Sequence, residues 1–343
     1  MYLFRKFYLK AIKIKFITLM TATLLFLFLN AWIIKGLEPE TFESYLHAIW
    51  WLMTTMTTVG YGDVSPVTPA GRLWTMLVIY PFGIGIFGIV IGMIVDSFSK
   101  HKQMKEEGKL MYKGQNHYVI IGWTLKSKEA VKELLFEEPD TDLVLIDELE
   151  KSPVTHERFH FISGSATDSA ILDQAGISRS KAVLIFAPAH IEDMDLADGR
   201  TLLIASSIEE YDTGTEKNIY TIAEILNKQH VKMFKHANID EFVLSQHSAS
   251  HLMAKSARHH GTSTVFDKLL NNGNRDAELR EIRSLPEWKT YRDAFDHLRE
   301  KNVLLLSDQE DMNVLQKLGE PLAPGTKLYV VCDEESLGWI GGN

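Results

Sequence analysis

A single cysteine, Cys332, in 343 residues leaves no partner for an intrachain disulfide, which suits a reducing compartment. No basic stripe with interleaved aromatics occurs either, which argues against nucleic acid as a partner. Lysine and arginine are missing from Gly36 to Gly71. Acids are missing from the first 35 residues, which carry Arg5, Lys6, Lys10, Lys13, Lys15 and Lys35. The formal net charge of −9 therefore arises downstream, mostly in the polar half of the chain.

What the first hundred residues do contain is apolar length. Phe16 to Ile34 would reach about 28 Å as a helix, and Leu73 to Val95 about 34 Å, each enough to cross a hydrocarbon core. The first follows a basic start, but it is long, lacks a small-residue cleavage site and is followed by a second span, so it reads as an outer helix and not a signal peptide. Lys100, Lys102, Lys105 and Lys109 follow the second span. With the basic residues before the first, they predict a multi-pass membrane protein with both termini cytoplasmic and the intervening loop outside. Within that loop Phe42–Thr55 is apolar but too short to cross, and it reads as a re-entrant pore helix tolerable at depth only inside protein.

Directly after it stands Thr57–Asp63, TTVGYGD. Backbone carbonyls of Thr58, Val59, Gly60 and Tyr61, with the Thr58 hydroxyl below them, can replace the hydration shell of a bare potassium ion. Gly60 and Gly62 permit the positive φ that turns successive carbonyls toward one axis. One strand supplies a quarter of such a cage, so a homotetramer is implied. The motif, filter residues Thr58, Val59, Gly60, Tyr61 and Gly62, resembles the selectivity filter of potassium channels. In the resembled channels an aromatic pair braces the filter. Trp50 and Trp51 match it, and the Trp51 indole is expected to donate to Asp63 behind the filter. Thr54 stands where some members place a glutamate.

Other residues of this half have two readings each. Glu38, Glu40 and Glu43 are either a cation-enriching acidic mouth or a solvated loop. Pro81, Gly83 and Gly85 form the natural gating hinge of the second span, the alternative being simple close packing, and Gly88 and Gly92 have small-xxx-small spacing. Asp96 is either a carboxylate ring at the inner mouth or an interfacial charge.

From His117 the pattern changes. Short β-branched runs at Tyr118–Gly122, Leu143–Asp147, His160–Ser163, Ala182–Phe186 and Ile219–Ala223 alternate with helical segments at Lys126–Phe136, Ser169–Ala175 and about Met194–Ser207, the signature of a parallel doubly wound sheet. This half resembles the RCK domain, of the TrkA-N type, joined to two-helix prokaryotic potassium channels. The expected fold is multidomain. An all-α two-helix pore module over 1–96 (outer helix 16–34, pore helix 42–55, filter 58–62, inner helix 73–95) leads through a linker, 97–115, to an α/β Rossmann-like N-lobe over 116–244. A crossover and dimerisation segment over 245–271 and a small α+β C-lobe over 272–343 follow. Met104 and Met111 read as ordinary methionines, the alternative being an internal start that yields soluble fragments completing an octameric ring.

The regulatory ligand is unknown from sequence, with a divalent cation or a nucleotide both open. A dinucleotide loop reads G-x-G-x-x-G, whereas Gly122-Trp-Thr-Leu-Lys-Ser127 keeps only its first glycine, and Thr124 obstructs a pyrophosphate. Gly122, Trp123, Thr124, Asp147, Ser165 and Thr167 remain the candidate nucleotide-binding residues. The resemblance offers a calcium constellation that aligns on Phe186, Glu224 and Leu226, one acid of three. Glu192, Asp193, Asp195 and Asp198 are a second acidic group, read as a solvated helix start. His247 and His251 are four apart and could share a metal or act as a proton switch with His259 and His260, but in the absence of an identifiable third ligand all four read as surface or interface histidines. The leading expectation is a ligand-gated, potassium-selective channel and not an enzyme. An RCK half serving mainly in assembly, or a membrane-tethered NAD-dependent enzyme, are the alternatives.

Overall fold

The computed structural model describes residues 16–215, 219–270, 278–333 and 336. Arg5, Lys6, Lys10, Lys13 and Lys15, on which the orientation argument leans, lie outside the described residues, as do residues 271–277 at the junction of the last two segments. Two compact units divide between Met104 and Lys105.

In the first unit, α1 (Phe16–Leu37) exposes Ile17, Leu25, Phe28 and Trp32, so apolar side chains cover the face that in a water-soluble helix would be polar. Ser44 caps α2 (Tyr45–Met56) by accepting from the His47 N–H. A long helix, α3 (Pro69–Glu106), starts with Thr68 as its cap and proline in its first turn, where a missing N–H costs nothing. Among the described residues, α1 and α3 are the two helices long and apolar enough to cross a membrane. Ile34, Phe42, Ala48, Leu52, Met56 and Ile79 form the unit's core.

Within α3, Thr75–Gly83 is a π-helix that encloses Pro81. Proline has no N–H for the i−4 carbonyl and crowds the preceding turn, and the wider π turn absorbs that misfit. Gly83, expected as part of a hinge, is buried, and a Cβ there would lie 2.7 Å from Met56 Cγ; it lets α3 approach the end of α2. Gly85, Gly88 and Gly92 face open space.

The acidic-mouth reading fails at Glu38, which is 2% exposed. Its carboxylate accepts from the N–H groups of Val67 and Thr68 and from the Thr68 hydroxyl, each at 2.8 Å. Burial alone would raise its pKa. The Val67 N–H and the Thr68 hydroxyl and N–H outweigh that and hold the carboxyl below its ordinary value. Glu38 thus ties the end of α1 to the positive end of α3, and a side chain at Gly71 would collide with it.

In the second unit six parallel strands are ordered β3-β2-β1-β4-β5-β6: β1 (His117–Ile121), β2 (Leu143–Asp147), β3 (Phe159–Ser163), β4 (Ser180–Ile185), β5 (Thr221–Glu224) and β6 (Glu241–Val243). Between them run α4 (Leu125–Glu137), α5 (Ser169–Ala175), α6 (Met194–Thr215) and α7 (Val231–His236). Val119, Ile121, Val144, Ile146 and Val183 pack into one cluster, with Leu172 and Ala205. Ile120, Leu143, Leu145 and Phe161 pack into another, with Val131. Strands buried on both faces are what continuous runs such as LVLI demand. Two further helices, α8 (Ser245–Arg258) and α9 (Thr262–Leu270), contain no buried residue. A small lobe follows, in which β7 (Glu278–Arg283), β9 (Lys327–Cys332) and β8 (Leu304–Asp308) make an antiparallel sheet in the order β7-β9-β8. Ala294 and Leu298 of α10 (Tyr291–Glu300) belong to that lobe's core, as do Leu328 and Val330 of β9.

The segment expected as a linker is tied down from Glu106 onward. The carbonyls of Glu106 and Gly108 accept from the Ser152 and Ser163 N–H groups at 2.7 and 3.1 Å. Tyr112 is buried, donates to Asp142 at 2.9 Å, and its N–H reaches the Gln174 carbonyl at 2.8 Å.

Replacing Glu38 with alanine removes a charged acceptor from two N–H groups and a hydroxyl, and is expected to lower the stability of the first unit by about 2–4 kcal/mol, read as a fall in thermal midpoint of the full chain in detergent. Because the Glu38 carboxyl is held low, its contribution is present above its ordinary value of 4.5 and fades as pH falls through the folded value. Glu38→Gln should flatten that acid-side loss.

Candidate functional site

Thr58, Gly60 and Gly62 have φ of 59°, 54° and 73°, while Val59 and Tyr61 between them are not in the positive region. Alternating handedness along five residues turns successive carbonyls to one side of an extended chain, whereas a β-strand alternates them and a helix aims them along its own axis onto its own N–H groups. The two glycines take the positive values at no steric cost. Thr58 also takes one, a position the sequence reading left out and one that costs a β-branched residue of order 1–3 kcal/mol.

Side-chain and backbone contacts hold this strand on one side. The Thr54 carbonyl accepts from the Val59 and Gly60 N–H groups at 2.9 and 3.1 Å, tying the strand to the last turn of α2. The indole N–H that reaches Asp63 comes from Trp50, at 3.0 Å, and not from Trp51 as the sequence led us to expect. Consecutive residues on a helix point about 100° apart, so one tryptophan of the pair faces Tyr61 and Asp63 and the other the core. Trp50 stacks on Tyr61, with centroids 5.6 Å apart and planes within 5°. Trp51 is 6% exposed and packs against Phe42. Thr54 is buried with its hydroxyl on the Trp51 carbonyl at 3.0 Å, so no carboxyl stands behind the strand at that place. Residues 58–63 are exposed on the other side.

Farther along α3, Asp96 pairs with Lys100 at 2.7 Å, both exposed. The lysine offsets the charge that a ring of Asp96 carboxylates would present.

The second candidate site is the crevice at the carboxyl ends of β1 and β4, where the strand order reverses and open α/β sheets bind ligands. Gly122 has φ 90° and leads into α4. Thr124 and Ser127, at the places of the second and third fingerprint glycines, form a reciprocal capping box. The Thr124 hydroxyl accepts from the Ser127 N–H at 3.1 Å and the Ser127 hydroxyl from the Thr124 N–H at 2.7 Å. Two N–H donors that a phosphate would use are therefore already satisfied. Asp147, expected at a ribose, accepts from the Trp123 N–H at 2.6 Å. Ser165 and Thr167 bond each other through their hydroxyls at 2.9 Å.

Glu224, 6% exposed at the end of β5, accepts from the Ala187 N–H at 3.1 Å and forms an ion pair with Lys126 of α4. An ammonium group thus stands against the one acid of the expected calcium constellation, a partner 98 residues away in sequence that the sequence reading missed. Asp198 is buried with its carboxylate on the Leu226 and Asn227 N–H groups and on His230. Asp193 accepts from the Asp195 and Leu196 N–H groups at the start of α6. These contacts account for both acids without a metal ion, and no group of three or more metal-ligating side chains occurs among the described residues.

Against known proteins, the ion-channel family matches residues 16–100 and the TrkA-N domain family residues 118–245. YugO of Bacillus subtilis, named as a candidate potassium channel protein, is 34% identical over 62% of this chain, and the match spans 62% of that protein's length. The calcium-gated potassium channel TvoK of Thermoplasma volcanium is 26% identical over 79% of this chain and 77% of its own. In fold, the human SLO3 gating ring superposes with a TM-score of 0.50 at 15% identity, covering 65% of this chain and 46% of that one.

Lys126→Met leaves Glu224 in the crevice with only the Ala187 N–H. Since Lys126 is half exposed, the expected loss is roughly 1–3 kcal/mol, seen as a lower midpoint for the second unit in thermal unfolding of the full chain.

Proposed function

We infer that this chain, which belongs to the ion channels joining a two-helix pore to a TrkA-N domain, is the subunit of a homotetrameric, potassium-selective channel whose pore responds to its soluble domains. The observation that carries the reading is the alternating φ of Thr58–Gly62 behind a Trp50–Tyr61–Asp63 brace. Such a strand leaves its carbonyls for something other than the protein's own N–H groups. Four of them around an axis offer rings of oxygens that replace the hydration shell of potassium. Residues 58–63, exposed in one chain, then face the axis.

In this reading the chain lies in the bilayer with both termini cytoplasmic, α1 outside and α3 lining the pore. The bend that opens it centres on the π segment around Pro81, with Gly83 as a packing contact and Gly85 free to flex. The strap from Glu106 to Tyr112, which continues directly from α3, is bonded into the second unit and is not a slack linker. This supports gating over assembly alone. The exposed Met253, Val265 and Phe266 of α8 and α9 support the assembly that gating also needs, including an octameric ring if fragments starting at Met104 or Met111 are made.

For the ligand, the calcium gating named for TvoK does not carry over through Glu224, whose charge Lys126 meets. A dinucleotide held by phosphate contacts is disfavoured by the Thr124–Ser127 capping box.

Rubidium flux into liposomes containing the purified chain tests the reading. Gly60→Ala is expected to abolish flux or its preference for rubidium over sodium, because alanine resists φ near 54°. Selective flux retained in that variant would overturn the account of the filter.

A further inference from the structure

Outside the pore and the crevice, two imidazoles on α8 stand in an arrangement the proposed function does not use. His247 and His251 are one helical turn apart, with ring centroids 4.2 Å apart at 79° and Nε2 atoms 2.9 Å apart. Two ligand bonds of about 2.05 Å meeting at a right angle put their nitrogens about 2.9 Å apart, and a tetrahedral angle needs only slightly more. In the absence of metal the same distance holds a shared proton, one ring donating and the other accepting. An ion replaces that proton.

We propose that His247 and His251 form a binding site for a borderline divalent transition metal, zinc being the representative. Neutral imidazole pairs suit zinc, nickel and copper and not calcium or magnesium, which take oxygen ligands. The spacing i, i+4 on a regular helix holds both rings on one face, so little ordering is needed on binding. His251 is exposed and His247 partly so, and the remaining coordination positions are open to water. The facing charge is unfavourable, since Lys228 Nζ lies 3.5 Å from His247 Nε2. An ion must displace that ammonium, and this limits affinity. The effect of the ion is to clip the first two turns of α8, the segment that leaves β6 toward the small lobe.

The experiment is competition between the full chain in detergent and a chromophoric zinc chelator. Wild type is expected to bind zinc saturably, and magnesium or calcium at a thousandfold excess should not displace it. His247→Gln and His251→Gln are each expected to weaken binding roughly tenfold or more, since losing a ligand costs at least as much as losing its outer-shell partner. His251→Cys, which supplies a thiolate, should retain binding, and Lys228→Gln should tighten it several-fold. His259→Gln with His260→Gln should leave it unchanged. Zinc affinity unaltered by the two glutamine variants, or no saturable binding below about 1 mM zinc in wild type, overturns the proposal.

Discussion

A backbone that alternates in handedness has no hydrogen-bonding partner of its own kind, and most of the first unit answers to that constraint. Residues in a helix or a sheet satisfy one another. Thr58–Gly62 cannot, so their conformation is imposed from beside them: two N–H groups on the Thr54 carbonyl, the Tyr61 ring on Trp50, and Asp63 on the Trp50 indole. Strain at Thr58 persists only where the surroundings over-determine it. That explains the rigid packing of Trp51 and Leu52 into the core beneath, and the tying of the turn at 67–68 by a buried carboxylate, Glu38. A loose frame would let the strand relax to ordinary φ values.

The second unit shows the opposite economy in its crevice. Where a nucleotide-binding sheet leaves N–H groups and an acid free, here each is spent. Thr124 and Ser127 cap one another, Asp147 holds the Trp123 N–H, and Lys126 reaches across to Glu224. Each contact steadies the crevice as it stands.

How much of this was legible depended on whether a feature was local. The strands LVLID and AVLIF were readable because burial on both faces demands continuous apolar runs, and observed β2 has the bounds the pattern implied. The positive φ at 60 and 62 was readable because glycine reports it directly, whereas Thr58 gives no such signal. The assignment of Trp51 to Asp63 failed on helix phase: adjacent tryptophans point apart, and only the path of residues 57–63 decides which one faces the acid. Glu38 looked like a solvent charge because its partners sit 29 and 30 residues away. Lys126 and Glu224 are separated by 98 residues and meet only because α4 begins beside β5's end.

The same distinction applies to the segment that follows α3. A polar segment with two glycines reads as slack. Instead, Gly108 takes φ 67° so that its carbonyl can accept from Ser163, and a side chain there would collide with the Ser163 N–H. Arg179 donates to the carbonyls of Tyr112 and Gly114 at 3.2 and 3.1 Å, while the Tyr112 ring packs over His117 and His160. The strap is thus fastened to β3, to the turn before β4 and to the entry of β1. Bonded along its length, the strap has no slack of its own, and the irregular stretch that remains is in α3, where the hydrogen-bond ladder is widened around Pro81.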